Sequence, residues 1–269
     1  MESFSFVFGV AAWVVGLALF VACFAASEVA YRLGRRGSAT VGSRKEHYVS
    51  VQAMMAALLG LLLAFTVSMA VSRFESRKAA VVDESNAIGT AFLRASLLPE
   101  AEQSRTVDLF REYLDLRLEA ASPERYRRPT PDLVARQSAL QGRLWSVGAT
   151  AAQNDQQAVT TGLYLQAVNE MIDSAGRRDA ALRNHVPESL LFMIFAVALA
   201  TLAVIGFVSG ITPGRSLAAS VVLSLVVAVV VFVILDFDRP YRGVIMVSQE
   251  SMLDLRAFME AGLPGKVKG

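Results

Sequence analysis

The residues best placed to do chemistry in this sequence are charged side chains at the ends of apolar runs. Arg73, Arg77 and Lys78 follow the apolar run 51–71. They prolong a row at steps of four: Leu61, Phe65, Met69, Arg73, Arg77. On a helix such a row winds slowly, because four residues slightly exceed one turn. If several copies set this helix around a common axis, Leu61, Phe65 and Met69 would form an apolar constriction. Arg73, Arg77 and Lys78 would then form an anion-attracting mouth. Apolar constrictions gate by dewetting, and rings of Arg or Lys favour anions. Helix packing and interfacial anchoring account for the same residues without any pore. A second group mixes acids with arginines: Asp83, Glu84 and Arg94 on one stretch, Asp236, Asp238 and Arg239 on another. Acids so close to arginines read as an interfacial ion-pair cluster in preference to a metal or acid–base site.

Other chemistries have little to draw on. The 269 residues include two histidines, His47 and His185, and one cysteine, Cys23. A histidine-based metal site or a Ser-His-Asp triad lacks material, and an intramolecular disulfide is impossible. No catalytic residue, metal ligand or cofactor is assigned, and the chain is not expected to be an enzyme. The formal net charge of +2 makes no case for nucleic-acid binding. Hydrophobic residues make up 54% of the chain and charged residues 19%, and the apolar ones gather in blocks with the charge between them.

Those blocks are the elements that must position the charged groups. The first, 4–26, is long enough to cross a bilayer, which takes about 20 residues. Its start, Met1-Glu2-Ser3, lacks the basic residues of a signal peptide, so retention as a span is expected. A connector with Arg32, Arg35, Arg36, Arg44 and Lys45 leads to the second block. From Tyr48 to Leu98 no proline intervenes, which predicts one helix that spans the membrane and projects from it. Its small residues Gly60, Ala64, Ser68 and Ser72 recur every four positions, a pattern that lets helix backbones approach closely in lipid.

Beyond Pro99, apolar residues at helical spacing predict amphipathic helices: Val107, Phe110, Leu114 and Leu118, then Leu133, Leu140 and Leu144, then Leu163, Val168, Met171 and Ile172. The polar stretch 153–156 is expected to interrupt them. Thr130 and Pro131 suit an N-cap and a first helical position. The third and fourth apolar blocks, 190–208 and 216–235, are joined by a short turn and read as a hairpin of spans without ionisable residues. Ser248 is placed to cap a last short helix ended by Gly262. The expected fold is all-α: an integral membrane protein with four transmembrane helices and a helical soluble domain between spans two and three. Its parts are 1–71, spans one and two with the connector; 72–186, stalk and soluble bundle; 187–236, the hairpin; 237–269, an interfacial turn and a short amphipathic helix. Parity puts the middle domain and both termini on one side of the membrane. Positive residues flank the spans on both sides, so their distribution does not fix which side that is.

Three stretches carry a resemblance: Glu28-Val29-Ala30-Tyr31-Arg32-Leu33-Gly34-Arg35-Arg36, the run 83–94 with its Asn-Ala-Ile-Gly-Thr-Ala, and 236–243. Together they resemble a bacterial family of four-span membrane proteins described as bestrophin-like, long filed as a domain of unknown function. The resemblance covers nearly the whole chain. Bestrophins are oligomeric anion channels, usually pentamers, whose second membrane helix lines the pore and continues into a cytosolic helical domain. The resemblance therefore implies a homo-oligomer in the bacterial inner membrane, inorganic anions such as chloride as partners besides the lipid bilayer, and Leu61, Phe65 and Met69 at the pore neck. One departure matters. Eukaryotic bestrophins carry a dense acidic run after the fourth span that binds calcium, and here only Asp236 and Asp238 stand there. Calcium activation is not supported.

The functional expectation is a homo-oligomeric ion channel, anion-conducting, with the second span lining the pore. The alternative is a non-conducting scaffold or sensor whose helical domain binds a partner. A proton-driven energiser subunit like those of flagellar stators has a similar layout and needs a partner chain bringing a membrane carboxylate.

Overall fold

Long proline-free runs become long helices. The computed structural model describes residues 10–41, 45–122, 131–154, 158–213, 216–241 and 243–263. Eight α-helices and no strand occur among the described residues: α1 (Ala12–Val41), α2 (Lys45–Arg94), α3 (Glu100–Ala120), α4 (Pro131–Asn154), α5 (Ala158–Arg183), α6 (Glu188–Ile211), α7 (Leu217–Phe237) and α8 (Glu250–Glu260). A 3-10 turn, Ala95–Leu97, follows α2, and Pro99 stands immediately before α3. Glu100 and Glu102 lie in the first turn of α3, where carboxylates favour the helix dipole. Pro187 precedes α6 in the same way. Gly262, at φ +88°, ends α8 in the left-handed region. The Ser248 hydroxyl accepts a hydrogen bond from the Glu250 N–H at 3.1 Å, one residue outside the N-cap, which is Gln249. The expected break at 153–156 corresponds to the end of α4 at Asn154, with 155–157 outside the described residues. Thr130, Arg215 and the basic loop 123–129 also lie outside them.

Four stretches contain helices long and apolar enough to cross a membrane. They are Ala12–Arg36, Lys45–Leu97, Val159–Ile211 and Leu217–Phe237, with mean hydropathies of 2.0, 2.3, 2.7 and 3.1. The described residues divide into two units. The first contains those up to Arg73, His185–Arg239 and Gly243–Ile245; the second contains Phe74–Asn184 and most of the remainder. α2 contributes residues to both. The sequence pattern sets 237–269 apart as its own piece, whereas α8 belongs to the second unit.

In the first unit α1 packs closely against α6. A Cβ on Gly206 would collide with the Ser27 carbonyl, and one on Gly210 with the Tyr31 carbonyl. Glycine is what lets these backbones touch. Small-residue spacing predicts tight packing along the α2 row. Instead Gly60, Ala64, Ser68 and Ser72 are all exposed, and a Cβ on Gly60 would meet nothing within 4 Å. The buried core of this unit includes Leu19, Cys23, Leu59, Ala70, Leu191, Ile194, Leu202, Val231 and Ile234.

The second unit has an aromatic core. Phe92, Phe110, Tyr113 and Tyr164 are fully buried, and Phe92 and Phe110 meet edge to face at 6.1 Å. α8 closes on this core through Met252 and Met259. The Ser85 hydroxyl donates to the Ser251 carbonyl at 2.8 Å.

Candidate functional site

In the first unit, α2 buries Leu59 and Ala70 and leaves Leu61 53% and Phe65 65% exposed; Met69 is half-buried. Two bulky apolar side chains of the predicted constriction row thus stand on a face that the rest of the unit does not cover. The Arg73 guanidinium donates to the His185 carbonyl. The Asp238 carboxylate, fully buried, accepts the Val186 N–H at 2.9 Å and lies 3.3 Å from His185 Nδ1. Arg73 and Asp238 therefore converge on one residue, His185, from α2 and from the end of α7. Arg239 donates to the Val10 carbonyl.

Asp236 is the anchor of a turn. Its buried carboxylate accepts the Val244 N–H at 3.0 Å and the Ile245 N–H at 2.9 Å. Gly243 makes room for it, since a Cβ there would strike the carboxylate. Charge-assisted hydrogen bonds of this kind are stronger than neutral ones. The expectation of an interfacial cluster is corrected here: Asp236 is engaged with backbone N–H groups that the chain reversal brings to it.

In the second unit Arg77 is 1% exposed and donates to the Ala181 carbonyl at 3.2 Å and the Asn184 carbonyl at 2.7 Å. These groups belong to the last turn of α5 and the residue just past it, where unpaired carbonyls attract a cation. Its expected place at a water-filled mouth is corrected: the side chain is buried. Lys78, one residue on, is exposed.

Glu84 sits at the centre of a buried ionic network. Arg117 Nε is 2.6 Å from its Oε1, and Arg178 Nη1 is 2.7 Å from its Oε2. The side chains of Glu84, Arg117 and Arg178 are at most 4% exposed. Arg117 also reaches Asp179 at 3.0 Å and the Gln137 side-chain oxygen at 2.7 Å. The second arginine, Arg178, reaches the Gln249 side-chain oxygen at 2.8 Å and the Tyr241 hydroxyl at 3.2 Å. Burial disfavours the Arg117 charge, but Glu84 and Asp179 outweigh it and hold its pKa above the usual value. Burial pushes the Tyr113 phenol up to about 12, with Arg117 opposing and Glu84 adding to the rise. Sequence spacing assigns Glu84 to a cluster with Arg94 and misses Arg117, Asp179, Tyr241 and Gln249. A signal for two of the network's arginines was present. Arg117 continues the register Phe110, Tyr113, Leu114, and Arg178 continues Met171, Ser174, Ala175, so each places a charge on the buried face of its helix.

Asp83 and Arg94 stand apart from that network. Both line a cavity of about 560 Å³ between α2 and α5. Arg94 donates to the Leu163 carbonyl at 2.8 Å. The expected cluster is therefore distributed: Asp83 and Arg94 in an open cavity, Glu84 in the buried network, Asp236 and Asp238 on backbone N–H groups, Arg239 on a backbone carbonyl. Among the described residues no group of three or more His, Cys, Asp or Glu is arranged to hold a metal ion.

No curated protein and no solved structure matches this chain. A family match does exist: residues 10–252 match the family described as Bestrophin-like domain. That interval takes in the spans, the glycine contacts of α1 and α6, the α2 row, the Glu84 network and the Asp236 turn, so the chain belongs to the bestrophin-like family.

Proposed function

We propose that this protein is the subunit of a homo-oligomeric, anion-conducting channel of the bacterial inner membrane, with α2 lining the pore. The observation that carries the reading is the exposure of Leu61 and Phe65 on a face of α2 that its own unit leaves uncovered. Bulky apolar side chains there suit a constriction formed by several copies, and Met69 continues the row. The exposed row Gly60, Ala64, Ser68 and Ser72 offers a second copy a surface for close approach. Arg73 and Lys78 follow at the mouth, and the Lys78 ammonium is exposed, with no hydrogen bond or ion pair among the described residues. Membership of the bestrophin-like family agrees with this reading. The second helical unit then lies in water as a bundle continuing from the pore helix.

The test is recording from the purified protein in a planar bilayer under a chloride gradient. Discrete currents reversing near the chloride potential are expected. Phe65→Ala and Met69→Ala should raise unitary conductance, and Lys78→Glu should move the reversal potential toward cations. A folded oligomer that stays silent on both faces and across pH would overturn the channel reading. It would favour a scaffold whose helical unit binds a partner.

A further inference from the structure

We infer that the cavity between α2 and α5 in the second unit is a binding site for a small, elongated zwitterion, its carboxylate toward Arg94 and its ammonium toward Asp83. The two helices run antiparallel there: Arg94 meets Leu163 at one end, and Glu84 meets Arg178 at the other. The floor is formed by Ala87 and Ala167, both buried. Side chains this small leave a trough where larger apolar residues would have closed the helix pair. The volume of about 560 Å³ falls within the range of small-molecule sites.

Charge along the trough selects the ligand. On the α2 wall Asp83 and Arg94 are eleven residues apart, three turns and about 16 Å along the axis. On the α5 wall Glu170 and Arg177 pair with each other, so their charges offset one another. Arg94 gives one nitrogen to a neutral carbonyl and keeps its charge, with further N–H donors to offer. Asp83 makes no hydrogen bond or ion pair among the described residues. One uncompensated cation and one uncompensated anion thus stand at opposite ends, with Asn86 and Thr90 between them as neutral hydrogen-bonding groups. A ligand with a single charge would satisfy one pole only. Because both side chains reach inward, the matching charge separation is shorter than the distance along the helix, close to that of a six-carbon chain.

The probe is 6-aminohexanoate, with hexanoate and hexylamine as singly charged controls of similar length. Binding is measured by calorimetry on the full-length chain in detergent. Saturable binding of 6-aminohexanoate is expected, with both controls weaker by about tenfold or more, the effect of one lost charged contact. Asp83→Asn and Arg94→Gln should each weaken it by about tenfold while the circular dichroism spectrum is retained. Equal binding of all three probes, binding unchanged in both variants, or no saturable binding would each overturn the proposal. No current is measured, so this outcome is independent of the channel reading.

Discussion

In the first unit Gly206 and Gly210 bring α6 against the carbonyls of Ser27 and Tyr31 on α1. In the second unit four aromatic rings and a carboxylate held by two arginines fill the space between helices. Both units bury helix faces, and they differ in what the surroundings supply. Between apolar helices in lipid the hydrophobic effect offers no preference for a neighbouring helix over acyl chains. Close backbone approach and dispersion must do the holding. In water, large side chains hold helices together by leaving the solvent. An ionic network buried there is tolerable only when every charge is matched. The comparison teaches that a glycine matters in the first unit where a charge matters in the second.

The largest expected effect breaks the second unit. Glu84→Gln leaves Arg117 and Arg178 buried without their shared carboxylate. It should cost about 3–5 kcal/mol, the scale for removing one partner of a buried ion pair. Chemical unfolding in detergent would check it. Asp179→Asn should cost much less, because that side chain is 33% exposed. Equal losses from the two variants would contradict the central place of Glu84.

The next effect tests the first unit. Gly206→Ala should separate α1 from α6 and cost about 1–3 kcal/mol through overpacking. Gly60→Ala on the exposed row should be neutral or stabilising within the isolated chain, by up to about 1 kcal/mol of helix propensity. If Gly60→Ala instead disrupts the purified oligomer, as seen by size-exclusion chromatography with light scattering, that row is a contact between copies.

The smallest effect sharpens the contrast through pH. The folded Tyr113 phenol titrates at about 12, against about 10 for a free tyrosine. The stability this neutral phenol contributes is complete below pH about 10 and is lost as pH rises toward 12. Tyr113→Phe should flatten the stability loss across that window, read as alkaline unfolding by circular dichroism. An unchanged alkaline profile would show that other groups govern it.

Chain-local physics determined much of this protein. Apolar runs without proline specified the helices that can cross a membrane, and Pro99, Pro187 and Gly262 marked boundaries. Three stretches also carried the family resemblance. What only the tertiary structure decided was partnership. Sequence spacing placed Glu84 near Arg94, and folding delivered it to Arg117 and Arg178, 33 and 94 residues away. Arg77 has the spacing of a pore row, yet the end of α5 claims it. Gly60 has the spacing of a packing motif, yet the close contact is made by Gly206 and Gly210 with α1. Periodicity states which face of a helix a residue occupies. What covers that face depends on contacts between residues far apart in the chain, and those follow from packing the helices together.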